Sequence, residues 1–117
     1  IVTWHFKALN RLPEFTEAVE NAINRGVLVY LYSNTEQPNG SRHESLRQIQ
    51  YLESLGCKSK GDDNNHSKCV ISESEGIVFT ANVDGYRGMK SGFEVGCVLR
   101  GEELDKAREY AELIIGY

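Results

Sequence analysis

Hydrophobic positions along the chain switch between two periods, and the switches mark the elements. Val2 to Phe6 is a short β-prone run. Leu12-Pro13-Glu14 then supplies a helix start, since Pro suits the first turn and an acidic side chain favours the positive end of the helix dipole. Phe15, Val19 and Ile23 recur at intervals of four, with Ala18 and Ala22 beside them, and Gly26 closes the helix. Val27 to Tyr32 is a nearly continuous apolar run, the pattern of a parallel strand buried on both faces. Ser33 to Gly40, with Pro38-Asn39-Gly40, reads as a turn-rich loop. Ser41-Arg42-His43-Glu44 has the spacing of a capping box, and Leu46, Ile49, Leu52 and Leu55 carry a helix on to Gly56. Lys58 to Asn65 is polar throughout and reads as a flexible connection.

Two further apolar runs, Lys68 to Ile71 and Ile77 to Ala81, lie either side of a short Gly-containing gap, the signature of a hairpin. Asn82 to Gly92 contains Gly85, Gly88 and Gly92 and predicts a loop; Phe93 to Leu99 predicts a strand. Gly101 to Ile115 predicts a helix with Leu104, Ala107, Ala111 and Ile114 on one side. The order β-α-β-α-β-β-β-α defines an α/β class with a mixed sheet flanked by helices. A length of 117 residues allows one domain, 1–117, and the missing initiator Met points to a segment of a longer protein.

Composition narrows the function classes. Thirteen basic against seventeen acidic residues, a formal net charge of −4, exclude a strongly basic nucleic-acid coat and a polybasic membrane anchor, though not a local basic site. No apolar stretch is long enough for a transmembrane helix, and the opening residues do not make a signal peptide. Cys57, Cys69 and Cys97 are odd in number and widely spaced, which predicts reduced thiols in a cytoplasmic setting. His66-x-x-Cys69 with Cys57 is a poor zinc pattern, and Cys69 and Cys97 read as small hydrophobes in strands, so no metal site or cofactor is expected.

Chemistry concentrates between residues 66 and 94. His66 and Lys68 flank one residue, which on a strand puts both side chains on one face. An imidazole beside an ammonium suits work on phosphate: the cation stabilises charge on phosphoryl oxygens while the imidazole attacks or moves a proton. Thr80 and Asn82 repeat that spacing, and a hairpin would bring all four to one mouth. Each also has an ordinary reading: His66 and Lys68 as surface residues, Glu94 as an outward strand residue, Arg87 and Lys90 as solvated loop charges, Trp4, Tyr30 and Tyr32 as core aromatics. His5-Phe6-Lys7 repeats H-x-K literally, but nothing after it continues the pattern, and it reads as the end of the first strand.

His66-Ser67-Lys68, four residues, Glu73, then Phe79-Thr80-Ala81-Asn82 and Phe93-Glu94-Val95-Gly96 resemble the phospholipase D superfamily motif. There the run is His-x-Lys, four residues, Asp, a hairpin, Gly-Ser/Thr-x-Asn, and a later Glu. The preceding strand-helix-strand-helix order is similar to one lobe of that fold. The resemblance implies a metal-independent phosphodiesterase working through a phosphohistidine on nucleic acid or phospholipid. His66 would be the nucleophile, Lys68 and Asn82 would bind the non-bridging oxygens, Thr80 would add a hydroxyl, and Glu94 would hold a catalytic imidazole in its tautomer. A second imidazole would come from a second phospholipase D-like lobe, by homodimerisation or from the parent chain, and the two would titrate as a coupled pair. The chain departs from the pattern at Glu73, in a hairpin one residue short, and at Phe79, where Gly would let backbone approach phosphate. Phe79 favours the alternative, a non-catalytic lobe serving as a phosphate-binding or protein-interaction module.

Overall fold

The computed structural model describes residues 1–35 and 39–116. The order is β1 (Phe6–Lys7), a 3-10 turn (Leu9–Arg11), α1 (Pro13–Asn24), β2 (Tyr30–Asn34), α2 (Asn39–Leu55), β3 (Lys58–Asp62), β4 (Cys69–Ile71), β5 (Gly76–Phe79), β6 (Val83–Asp84), β7 (Gly96–Leu99) and α3 (Gly101–Ile115). This is a mixed α/β fold with several small sheets. β2 and β3 are parallel, with Tyr30 opposite Lys58 and Asn34 opposite Asp62. β4, β5 and β7 form an antiparallel meander. Val2 joins the two, bridging Tyr32 in parallel and Cys69 in antiparallel fashion. A separate parallel pair matches Phe6 with Val83 and Lys7 with Asp84.

Residues on opposite sides of the pleat feed two cores. Leu31 packs with Val19 of α1 and Ile49 and Leu52 of α2, together with Phe6, Leu9 and Val83. Val2, Tyr32 and Cys69 pack instead with Ile71 and with Ile114 and Ile115 of α3. Helices therefore cover both sides, which a period-two strand with apolar residues at consecutive positions requires. α2 is also docked by polar contacts: Ser45 Oγ accepts from Phe6 N at 3.1 Å and Gln48 Oε1 from Leu9 N at 3.2 Å. Among the described residues no helix is long and apolar enough to cross a membrane.

Several boundaries differ from those the pattern predicts, each for a local reason. The second strand starts at Tyr30 rather than Val27, because Val27 N still closes the end of α1 on Ala22 O at 3.0 Å, and Val27 and Leu28 stay exposed. α2 begins at Asn39, two residues before the capping-box Ser, and Glu44 turns to Arg47 and Gln48 instead. Residues 36–38 of the expected turn lie outside the described residues. Lys58–Asp62, read as flexible, is a strand held through its main chain at the sheet edge, where polar side chains are the rule. Residues 93–95, expected to open the last strand, precede it, and Phe93 is fully exposed. Cys97 is exposed and not the packed thiol expected, whereas Cys57 and Cys69 are buried.

Truncating the buried core should be costly: Leu52→Ala, at a side chain with 0% exposure, should lose about 2–5 kcal/mol of unfolding free energy in urea titrations. Leu113→Ala, on the exposed side of α3, should stay within about 0.5 kcal/mol of the parent in the same measurement.

Candidate active site

A tier of buried amides and one hydroxyl gathers where β2 and β3 end. Asn34, the last residue of β2, donates through Nδ2 to Asp63 O at 3.0 Å and Asn65 O at 2.7 Å. Asn65 Nδ2 donates to Thr3 O at 2.9 Å. The Thr3 hydroxyl proton faces both His5 O at 3.0 Å and Asn82 Oδ1 at 3.3 Å, while its oxygen accepts from Val83 N at 3.1 Å. Asn82 Oδ1 also accepts from Trp4 N at 3.1 Å. Thr3 thus ties the residue before His66 to Asn82. Such a satisfied network in a low-dielectric setting fixes its members, because a broken contact would leave a buried polar group unpaired.

The motif residues stand on this tier. Asn65 Oδ1 accepts from Ser67 N at 3.3 Å, pinning the turn that carries His66, and Ser67 Oγ meets Tyr110 OH of α3 at 2.8 Å. Lys68 folds back over this turn: Nζ donates to His66 O at 3.0 Å and lies 3.5 Å from His66 Nδ1. Lys68 O accepts from Phe79 N at 3.1 Å, which extends the β4–β5 ladder to the site. Burial lowers the Lys68 ammonium pKa, and the nearby Glu94 charge opposes that shift. The Thr80 hydroxyl donates to Glu94 Oε2, and its oxygen accepts from Val95 N at 3.1 Å. With Oδ1 of Asn82 fixed by Trp4 and Thr3, its Nδ2 has no partner among the described residues and is free to donate.

Three positions of the motif take the following places in the structure. Glu94 holds Thr80 and faces Lys68, and among the described residues it is bonded to no imidazole. The β4–β5 turn is built by Ser72, whose hydroxyl accepts from Ser74 N and Glu75 N and donates to Glu75 O; Glu73 makes none of these bonds. Phe79 lines an apolar groove of about 420 Å³ with Val70, Ile77 and Val95. Tyr32 is a core residue, as an aromatic in a strand usually is. Among the described residues no three His, Cys, Asp or Glu side chains gather closely enough to hold a metal ion.

His5 is the residue the sequence reading missed. It does not simply end a strand: it precedes β1, is buried, and its Nε2 lies 3.3 Å from Asp84 Oδ2. Asp84 Oδ1 in turn accepts from Tyr86 N at 2.7 Å and Arg87 N at 3.3 Å. Burial lowers the His5 pKa against the pull of Asp84, and the charges of Lys7 and Lys68 lower it further. The neutral ring therefore donates from Nε2 to Asp84, leaving a buried lone pair on Nδ1 that has no partner among the described residues. The consecutive burial of His5 and Phe6 breaks the strand alternation, so periodicity offered no signal for this pair.

Comparison of the chain with protein-family models, curated proteins and solved structures finds no match to any of them.

The His5–Asp84 pair should make stability fall with acid in two windows. His5 titrates below its ordinary 6.5 when folded, so the unfolded chain takes the proton first and stability declines as pH drops from 6.5 towards the folded value. For Asp84, burial raises the pKa, but the Tyr86 amide, His5 and the Arg87 amide outweigh it; the net shift is downward and its contribution is lost below 3.8. Urea melts between about pH 8 and about pH 5 should show the first decline in the parent chain and a shallower one in His5→Asn.

Proposed function

We infer that the chain is a phospholipase D-like lobe that cleaves or transfers phosphodiesters through a phosphohistidine. The observation that carries this reading is Thr3, which accepts from Asn65 and bonds Asn82, and so links both halves of the motif, His66-Lys68 and Thr80-Asn82. In the resting arrangement Lys68 Nζ rests against His66. A phosphoryl oxygen competes for that ammonium and releases the imidazole lone pair. Asn82 Nδ2, aimed by the two donors on its oxygen, supplies a second contact to the non-bridging oxygens. Preorganised donors of this kind stabilise the charge that develops on a five-coordinate phosphorus.

The reaction is a double displacement. The His66 lone pair attacks phosphorus, the bond from phosphorus to the leaving oxygen breaks, and that oxygen takes a proton from a second imidazole. Water or an alcohol then attacks the phosphohistidine, gives its proton to the same imidazole, and the phosphorus–nitrogen bond breaks. The second imidazole belongs to a second lobe, supplied by another copy or by the parent chain. His5 is not assigned that part, because its Nδ1 is sealed from solvent.

The alternative is a lobe that binds phosphate or a partner protein without turnover. Thr80 favours it, since the hydroxyl proton is already given to Glu94 and is not offered to substrate.

Hydrolysis of bis(p-nitrophenyl) phosphate in chelator tests the choice, with the chain dilute and with the chain concentrated enough for two copies to pair. Turnover should disappear in His66→Ala, and Lys68→Ala should lower it about 100- to 1,000-fold. Unchanged turnover in His66→Ala would remove the nucleophile; no turnover in either preparation would leave the binding lobe.

A further inference from the structure

The loop from Gly85 to Gly92 touches the candidate site at three points. At its start, the Tyr86 and Arg87 amides are held by Asp84, the partner of His5. At its middle, Gly88 lies against Asn82 so closely that a Cβ would stand 2.3 Å from Asn82 O. At its end, a Cβ on Gly92 would stand 3.1 Å from Glu94 Oε1. The loop's own polar groups are spent internally: Arg87 O accepts from the amides of Lys90, Ser91 and Gly92, and Ser91 Oγ donates to Tyr86 O. It is a self-bonded rim, and what it offers outward is side chains.

Those side chains are of two kinds. Arg87 and Lys90 are exposed cations, and neither pairs with an acid among the described residues. Tyr86 is 53% exposed, with the Arg11 guanidinium 4.9 Å from its ring centroid. Gly85 makes that stack possible, since a Cβ there would collide with Ala8 O and Arg11 Cβ. The acids at this rim are Asp84, buried and taken up by His5 and the Tyr86 and Arg87 amides, Glu94, already bonded to Thr80, and Glu14, which shares a shallow groove with Arg11 and Lys90. Against a net charge of −4, Arg11 over the Tyr86 ring, Lys90 in the groove it shares with Arg11, and Arg87 next to Tyr86 in the loop make a local positive strip.

We propose that Arg11, Tyr86, Arg87 and Lys90 form a strip for single-stranded nucleic acid, so that the diester presented to His66 belongs to a polynucleotide. The proposal rests on the phosphodiester reading of the site. A single strand repeats its phosphate along its length and carries bases for Tyr86 to stack upon, with the guanidinium adding a cation–π contribution. A phospholipid offers one diester and no π-face, which leaves Tyr86 and the more distant cations without a role.

The test is fluorescence anisotropy with a labelled oligonucleotide of roughly 12 nucleotides and the full chain carrying His66→Ala, titrated between about 50 and 200 mM salt. Vesicles of phosphatidylcholine with phosphatidylglycerol are run in parallel by co-sedimentation. Binding should weaken with salt, and Arg87→Ala with Lys90→Ala should reduce the logarithmic salt slope by about 1.4. Tyr86→Ala should weaken binding about 5-fold or more at an unchanged slope. Absence of oligonucleotide binding, binding untouched by all these substitutions, or capture by vesicles alone would overturn the strip. Hydrolysis of the small chromogenic diester without oligonucleotide binding would overturn the strip and leave the phosphodiester reading standing. Oligonucleotide binding lost in the variants, with no hydrolysis of any diester by the unsubstituted chain, would support the strip and remove the catalytic reading.

Discussion

Val2 is paired on both sides, with Tyr32 in one direction and Cys69 in the other, and the fold depends on that double pairing. Val2 N donates to Cys69 O and Cys69 N to Val2 O, while Thr3 N donates to Tyr32 O on the other side. Without the segment, the parallel pair β2–β3 and the meander β4–β5–β7 would share no ladder bonds. Its pleat also decides what faces where: Val2 goes to the core beneath α3, and Thr3 carries its hydroxyl to the end of the sheet where Asn65 and Asn82 meet. One short bridging segment thus sets both the sheet and the spacing of the proposed catalytic groups.

Next to it, His5 shows how a buried titratable group can be structural and close to the candidate site at once. Its hydrogen bond to Asp84 fixes the residue that holds the Tyr86 and Arg87 amides, and Gly88 of the same loop packs on Asn82. Loop and amide are therefore braced from one point. The orphan Nδ1 is the cost of that bracing, since a buried acceptor without a donor forfeits its hydration.

Much of this was legible in the sequence, and the parts that were not share a cause. α1, α3 and the β4–β5 hairpin follow from apolar spacing and Gly punctuation, because their stability comes from side chains that patterning records. β3 escaped because Lys58 to Asp62 contributes backbone and almost no apolar area. His66, Lys68, Thr80 and Asn82 could be singled out from spacing, with a hairpin to bring those four together, and Glu94 only from the resemblance. The support under them could not be: Thr3, Asn34, Asn65 and the His5–Asp84 pair are joined by contacts spanning up to 80 positions, as between Thr3 and Val83, and none has a local signature.

The way β3 is held has a consequence for variation. A strand retained by main-chain bonds at a sheet edge places little demand on side-chain identity: Ser59 and Lys60 add only exposed side-chain bonds, to Glu53 and Ile115 O, and proline is excluded where the N–H serves the ladder, as at Lys58, which donates to Val29 O. Gly61 is the exception, because a Cβ there would fall 2.7 Å from Thr35 Cγ2. That edge is accordingly a part of the molecule whose charge can drift over generations while Asn34 and Asn65, a few residues away, keep the proposed site in register.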